Sequence, residues 1–228
     1  MAASTSDGLA PTVQPFGDAA LIVRLEDRMD PAIAQRAGAI ARAIQAARHG
    51  VPAIGRPVPA HSTVLVPFDP LAIEPDRAAA VILELASGAS PAAAEGVDEA
   101  PFEVPVRYGG ADGPDLAEVA QRLRLTPDEV ASLHASTAYA VAFLGFAPGF
   151  AYLGSLPPEL QVPRRTTPRE RVPAGSVAIA GELTAIYPGS MPGGWHLIGR
   201  TDAVLFDPTV EPPTPLRPGR FVRFVPVP

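Results

Sequence analysis

Apolar side chains along this chain change spacing several times, and each change marks an element. Residues Thr12 to Phe16 and Ala19 to Leu25 suit strands, with Gly17-Asp18 between them as a turn, so a hairpin is predicted. Asp30 and Pro31 then supply an N-cap and a first-turn proline for a helix on which Ile33, Ala37, Ile40, Ala41 and Ile44 recur at helical spacing, ending at Gly50. Val51 to Pro59 is extended but broken by proline, as an edge strand is, and Ser62 to Phe68 reads as a central strand. Asp76 to Leu85 closes the region as a second amphipathic helix. The order ββαββα fits a two-layer α+β arrangement with both helices on one face of an antiparallel sheet.

Beyond Ser87 the pattern stops. The segment SGASPAAAEGVDEA, ending at Ala100, is small and acidic without periodicity, which is linker composition. Phe102 to Arg107 reads as a strand and Asp115 to Leu123 as a short helix. Thr126-Pro127-Asp128-Glu129 is a capping-box sequence opening a helix to about His134. Every later apolar run is short and strand-like: Ala138 to Phe146, Gly175 to Ala180, Leu183 to Tyr187, Trp195 to Arg200, Val204 to Phe206 and Phe221 to Val227. Many short strands with Gly and Pro corners predict a sandwich or a closed barrel. The expected organisation is a flexible tail over residues 1–10, an α+β domain over 11–88, a linker over 89–100 and a β-barrel domain over 101–228, with no internal repeat.

Composition narrows the function classes. The 228 residues are 47% hydrophobic and 18% charged, an ordered globular composition. A net charge of -6 offers no electrostatic footprint for nucleic acid or an anionic membrane, and no apolar run reaches membrane-spanning length. Cysteine is absent, which removes disulfides, thiolate metal sites and cysteine nucleophiles, and the cytoplasm is the expected compartment. All 18 basic residues are arginine, so neither a phosphate-loop lysine nor a Schiff-base lysine is available.

The densest punctuation lies between Phe143 and Thr201, where glycine and proline alternate with aromatics and arginines. Such a stretch dictates its backbone position by position, as tight hairpin corners or a rigid ligand wall would require. Within it Arg164 and Arg165, followed by Arg169 and Arg171, sit on a proline-held loop; guanidinium forks suit a carboxylate or phosphate, and solvated or ion-paired arginines explain the cluster equally well. His134, at a helix end, can act as general acid or base, although capping helix carbonyls is the commoner use. Ser176 is a poor nucleophile because no G-x-S-x-G surrounds it, yet Gly175-Ser176 and Gly193-Gly194 could present backbone N–H groups to an oxyanion. Trp195 is a core residue by base rate, with the adjacent glycines pointing to close approach of a ligand, and Arg200 ends the same segment. Strand alternation puts Trp195 and His196 on opposite faces. His49 and His61 have no partner at ligand spacing, so no metal site is expected.

The segments YGGADGPDL, LGFAPGFAYLGSLP, VPRRTTPRERVPAGSVAIAG, IYP and PGGWHLIGRT together resemble the hallmark motifs of the family of 5-oxoprolinase B subunits, also known as allophanate hydrolase subunit 1 and including the sporulation kinase inhibitor of bacilli. The resemblance runs from about residue 11 to 228. It implies a small α+β domain followed by a cyclophilin-like β-barrel, and partnership with the C and A subunits in the ATP-dependent opening of 5-oxoproline to L-glutamate, with ATP belonging to the complex. The family also resembles part of the carboxyltransferase region of biotin-dependent urea carboxylase. For that reaction residue chemistry makes His134, as proton shuttle, and Arg164 and Arg165, for a carboxylate or phosphoryl oxygen, the catalytic candidates, and Gly175, Ser176, Gly193, Gly194, Trp195 and Arg200 the substrate-binding candidates. One departure stands out: family members often carry Gln-Thr-Gly where this chain has Gly181-Glu182-Leu183-Thr184-Ala185. Other readings are a regulatory protein that inhibits a sensor histidine kinase and a subunit of an allophanate- or urea-processing enzyme. Prolyl isomerisation would rest on fold analogy alone, and the arginine, phenylalanine and glutamine pattern of true cyclophilins has no counterpart.

Overall fold

The structure, a computed structural model, describes residues 10–26, 30–90 and 100–228. All of the expected tail but residue 10, and all but the ends of the expected linker, lie outside these residues. The chain divides into two compact units, Met1–Glu95 and Gly96–Pro228.

The first unit contains β1 (Thr12–Pro15), β2 (Ala20–Arg24), α1 (Pro31–Ala47), β3 (Val58–Pro59), β4 (Thr63–Pro67) and α2 (Pro75–Gly88). Its antiparallel sheet has the order β1-β2-β4-β3. Asp30 caps α1 as expected, its side chain accepting from Ala32 N–H at 2.8 Å. Leu21, Val23, Val64 and Val66 from one sheet face meet Ile40, Ile44 and Ile82 of the helices in a dry core. The edge strand is shorter than expected: Val58–Pro59 pairs with β4, and Ile54 makes an isolated bridge to Phe68. Pro52 and Pro57 carry no N–H to continue the ladder, which explains the interruption.

The second unit contains β5 (Phe102–Tyr108), α3 (Leu116–Leu123), α4 (Pro127–Ser136), β6 (Ala138–Leu144), β7 (Ala151–Gly154), β8 (Arg169–Val172), β9 (Ser176–Ala180), β10 (Leu183–Ile186), β11 (Met191–Gly193), β12 (His196–Arg200) and β13 (Phe221–Pro226). Seven strands close a barrel in the order β10-β7-β6-β13-β5-β12-β9, while β8 and β11 form a separate ribbon. The capping box at Thr126 and Glu129 is present in both directions. The fold is therefore α+β with a closed barrel, as the motifs implied. Val204 to Phe206, expected as a strand, is irregular instead. Val204 is 68% exposed while Leu205 is buried, and the following prolines turn the chain before a ladder can form, with Asp207 N–H bonded to Pro213 O at 2.8 Å.

All five residues of β9 are buried, and alternation explains why. Val177 and Ile179 face the barrel core with Val104, Val106, Leu153 and Ile198. Ala178 and Ala180 face outward into a second cluster with Phe150, Tyr187, Trp195 and Leu197. Small side chains at Ala178, Ala180 and Ala185 leave room for large aromatics on the outside of the barrel wall, and this layer carries the site described next.

Candidate functional site

The loop between β6 and β7 is shaped by two positive-φ residues. Gly149 has φ +77°, and a Cβ there would lie 2.7 Å from both Leu205 O and Phe206 Cβ, so only glycine fits. Phe146 adopts φ +69°, an unfavourable conformation for a bulky residue, and its ring is 65% exposed. Phe150, four residues on, is turned inward and packs edge-on against Tyr187 at 5.3 Å and Trp195 at 6.1 Å. Tyr152 lies 5.9 Å from Trp195. Phe146, Phe150, Tyr152, Tyr187 and Trp195 thereby form an aromatic lining for a pocket of about 380 Å³, with Pro192, Gly193, Gly194 and Pro168 along one side and Arg164 and Arg165 at its cationic edge. Its size is that of a small-molecule site.

Gly193 is obligatory, because a Cβ there would lie 2.2 Å from the Tyr187 hydroxyl oxygen. That hydroxyl is also met by the backbone N–H of Trp195; burial pushes the Tyr187 pKa up more strongly than this bond and the nearby guanidiniums lower it, so the phenol stays protonated. The two arginines differ. The Arg164 guanidinium carbon sits 6.0 Å from the Trp195 ring centroid, the side chain is exposed, and no ion pair holds it among the described residues. Arg165 donates to Asp115 at 3.2 Å, its backbone N–H bonds Gly194 O at 2.8 Å, and its Nε is buried without a partner.

Asp115 is the residue that the sequence did not single out as functional. It is 4% exposed and accepts from both Arg169 nitrogens, at 2.9 and 2.7 Å, from Arg165 and from Leu197 N–H at 2.7 Å. Burial raises its pKa, but the hydrogen bonds from Arg169 and Leu197 and the charges of Arg169 and Arg165 outweigh that and hold it below the ordinary carboxylate range. Its partners lie 50, 54 and 82 residues away, so no local pattern announces them. In the sequence Asp115 stands at a predicted helix start, which reads as an ordinary cap, and only the structure shows that its side chain makes no cap bond.

Of the sequence-derived candidates, Arg164, Arg165, Gly193, Gly194 and Trp195 line one pocket. His134, Gly175, Ser176 and Arg200 are not among its lining residues. His134 is wholly buried against Tyr139 and Phe224, with ring centroids at 5.3 and 4.4 Å. Its hydrogen bonds fix the tautomer: Thr184 donates its hydroxyl to Ala178 O, so His134 Nε2–H donates to Thr184 Oγ1 at 2.9 Å, and Nδ1 accepts from the Tyr108 hydroxyl at 2.7 Å. Burial lowers its pKa to about 3, so it is a neutral core histidine rather than a cap or a solvent-linked shuttle. Gly175 is required by φ +79° and by Thr201 O, 2.1 Å from where a Cβ would lie. Its N–H bonds Tyr187 O at 2.8 Å and that of Ser176 bonds Pro173 O at 3.3 Å, so neither is left for an oxyanion. Arg200 ends β12 opposite Ser176 and Arg107. His196, also buried, donates from Nε2 to Pro163 O at 3.0 Å and pins the arginine loop. Where family members differ, Gly181 makes a positive-φ turn and Ala185 is buried in the outer aromatic cluster, away from the pocket surface. Among the described residues no group of three or more His, Asp or Glu side chains is placed to hold a metal, and no helix is long and apolar enough to cross a membrane.

The carboxyltransferase domain, subdomain C and D, sequence model matches residues 11–216. The chain belongs to this family. Within the carboxyltransferase subdomain C and D family it is 58% identical over 125 residues to the 5-oxoprolinase B subunit of Escherichia coli O157:H7, covering 55% of this chain and 57% of that protein. It is 53% identical over 123 residues to the 5-oxoprolinase B subunit of Bacillus subtilis strain 168, covering 54% and 51%. The chain thus spans about half the length of the curated relatives it matches, and the resemblance read from the motifs points to the same relatives. Among solved structures, TTHA0988 superposes with a TM-score of 0.79 at 39% identity, covering 92% of this chain and 40% of that one. Kluyveromyces lactis urea carboxylase superposes with a TM-score of 0.71 at 19% identity, covering 96% of this chain and 22% of that one, a likeness of fold.

Proposed function

We propose that this chain is the B subunit of an ATP-dependent 5-oxoprolinase complex, which opens 5-oxo-L-proline to L-glutamate together with the A and C subunits and is inactive alone. The observation that carries the reading is the pocket, where a guanidinium without an ion-pair partner among the described residues lies over an aromatic wall. That meets the needs of a small ring bearing a carboxylate, in a chain whose relatives are named as 5-oxoprolinase B subunits. Ring opening of an unstrained lactam is uphill without activation, and ATP supplies it by phosphorylating the amide oxygen with release of ADP. Water then adds at the ring carbon, the C–N bond breaks to leave an acyl phosphate and a free amine, and a second water hydrolyses the acyl phosphate to L-glutamate and phosphate. ATP belongs to the complex, and no residue of this chain is assigned to it. What this chain contributes is binding and orientation: Arg164 takes the carboxylate, Trp195 and Phe150 flank the ring, and the Gly193-Gly194 backbone lets it approach closely. This reading gives His134 no chemical role, since its ring is buried against Tyr139 and Phe224 and engaged by Tyr108 and Thr184.

The test is reconstitution of the three subunits with Arg164→Ala plus Arg165→Ala here, followed by ATP-dependent glutamate formation. Activity should fall by about two orders of magnitude, the scale of losing one charge-assisted carboxylate contact in a closed site; full retention removes the arginine assignment. The second reading, inhibition of a sensor histidine kinase, has in its favour the exposed apolar side chains Phe146 and Val204. Pull-down from cells that express the neighbouring genes separates the two: the A and C subunits are expected, and capture of a histidine kinase in their place supports the inhibitor. A partner that processes allophanate or urea would redirect the substrate.

A further inference from the structure

Four arginines crowd the segment from Arg164 to Arg171, yet their surroundings commit them unequally. Arg169 is held by Asp115 through two bonds, and Arg165 donates to the same carboxylate, with Glu118 a further 3.9 Å from its guanidinium. Arg171 donates to the Ser190 hydroxyl at 3.0 Å. Arg164 alone of the four combines exposure with a place in the pocket lining and no acceptor among the described residues, since Arg171 is exposed but outside the lining and Arg165 lines the pocket but is held by Asp115. Backbone bonds on either side of it, His196 Nε2 to Pro163 O and Arg165 N–H to Gly194 O, give its side chain a fixed base. Asp115 also accepts from Leu197 N–H, two residues beyond Trp195. One buried carboxylate therefore ties down both the loop that carries Arg164 and the strand that directly follows Trp195.

We propose that Asp115 is a positioning residue that withdraws Arg165 and Arg169 from ligand binding and leaves Arg164, braced on Trp195, as the guanidinium that selects small carboxylates for the pocket. The inference rests on the pocket being a small-carboxylate site and adds which cation performs the recognition and what makes it the one. A ligand approaching Arg165 has to compete with a buried carboxylate that is already hydrogen-bonded on several sides, whereas Arg164 has only water to release. Asp115 touches no ligand in this scheme and acts through the arginines.

The experiment needs no substrate. Trp195 is the single tryptophan, so its emission in the full chain reports the pocket and nothing else. Iodide is the anionic quencher and acrylamide the neutral one, and the ratio of their quenching constants measures anion enrichment beside the ring. A guanidinium 6.0 Å from the ring centroid enriches a monovalent anion about twofold at moderate salt. Arg164→Ala should therefore lower the ratio about twofold, and Arg165→Ala should leave more than about half of the preference in place. In an Asp115→Asn chain Arg165 is released, so the further change Arg165→Ala should now lower the ratio as Arg164→Ala does, while Asp115→Glu, which keeps the charge, should retain the wild-type order. Equal losses for Arg164→Ala and Arg165→Ala in the otherwise unaltered chain overturn the assignment to Arg164. An Asp115→Asn chain in which Arg165→Ala is still silent overturns the role of Asp115. Should Asp115→Asn fail to fold, the two single arginine variants decide the assignment to Arg164, and Asp115→Ser replaces Asp115→Asn as the background in which Arg165→Ala decides the role of Asp115. The expected iodide pattern in a chain whose emission ignores 5-oxo-L-proline supports Asp115 as positioner and contradicts the 5-oxoprolinase reading, so the two fail separately.

Discussion

At the residue scale, close contacts and burial decide what each side chain can do. Gly193 faces the Tyr187 hydroxyl at a distance no Cβ tolerates, so Gly193→Ala should destabilise the chain by about 1–3 kcal/mol, measured by urea unfolding. Adding Tyr187→Phe, which removes the clashing oxygen, should restore part of the loss; no recovery would mean that the contact is not the cause. His134 gives a pH dependence with a definite sign. Its pKa is lowered to about 3 in the folded chain, so the unfolded chain binds the proton first as pH falls below about 6.5. The stability that rests on neutral His134 is complete above that pH and is lost as pH falls from about 6.5 towards 3, by roughly 1 kcal/mol per pH unit. Urea unfolding at pH 7.5 and 5.5 should show this slope in the wild type and a flatter one in His134→Leu. Asp115 loses its contribution only at more acid pH, because its carboxyl is already held below the usual range.

At the element scale, the parts governed by local rules were legible and the parts governed by distant partners were not. The capping box at Thr126 and Glu129 and the N-cap at Asp30 need only neighbours, and both are present. Thr126→Ala should cost about 1 kcal/mol in the same unfolding assay, and an unchanged midpoint would show that the cap adds nothing. The strands β7, β8 and β11 escaped notice because each is three or four residues long, and β8 and β11 have only each other to pair with. Val204 to Phe206 has strand composition but no ladder to join. The same contrast governs the site. Glycine and proline density pointed to the loops that wall the pocket, whereas Asp115, whose partners lie far along the chain, and the burial of His134 depend on barrel closure, which periodicity does not reveal.

At the scale of the whole molecule, the motif set pointed to the family before any contact was known, and the closed barrel follows the order of elements read from the sequence. What the barrel adds is an outer layer, in which small residues on β9 and β10 let aromatics and arginines assemble a pocket on the wall rather than inside it. The central proposal is that this chain is a working part of a three-component 5-oxoprolinase. The most direct measurement is glutamate formation from 5-oxo-L-proline and ATP by purified A and C subunits, with and without this chain. The account predicts turnover only when all three are present, and equal turnover without this chain would contradict it.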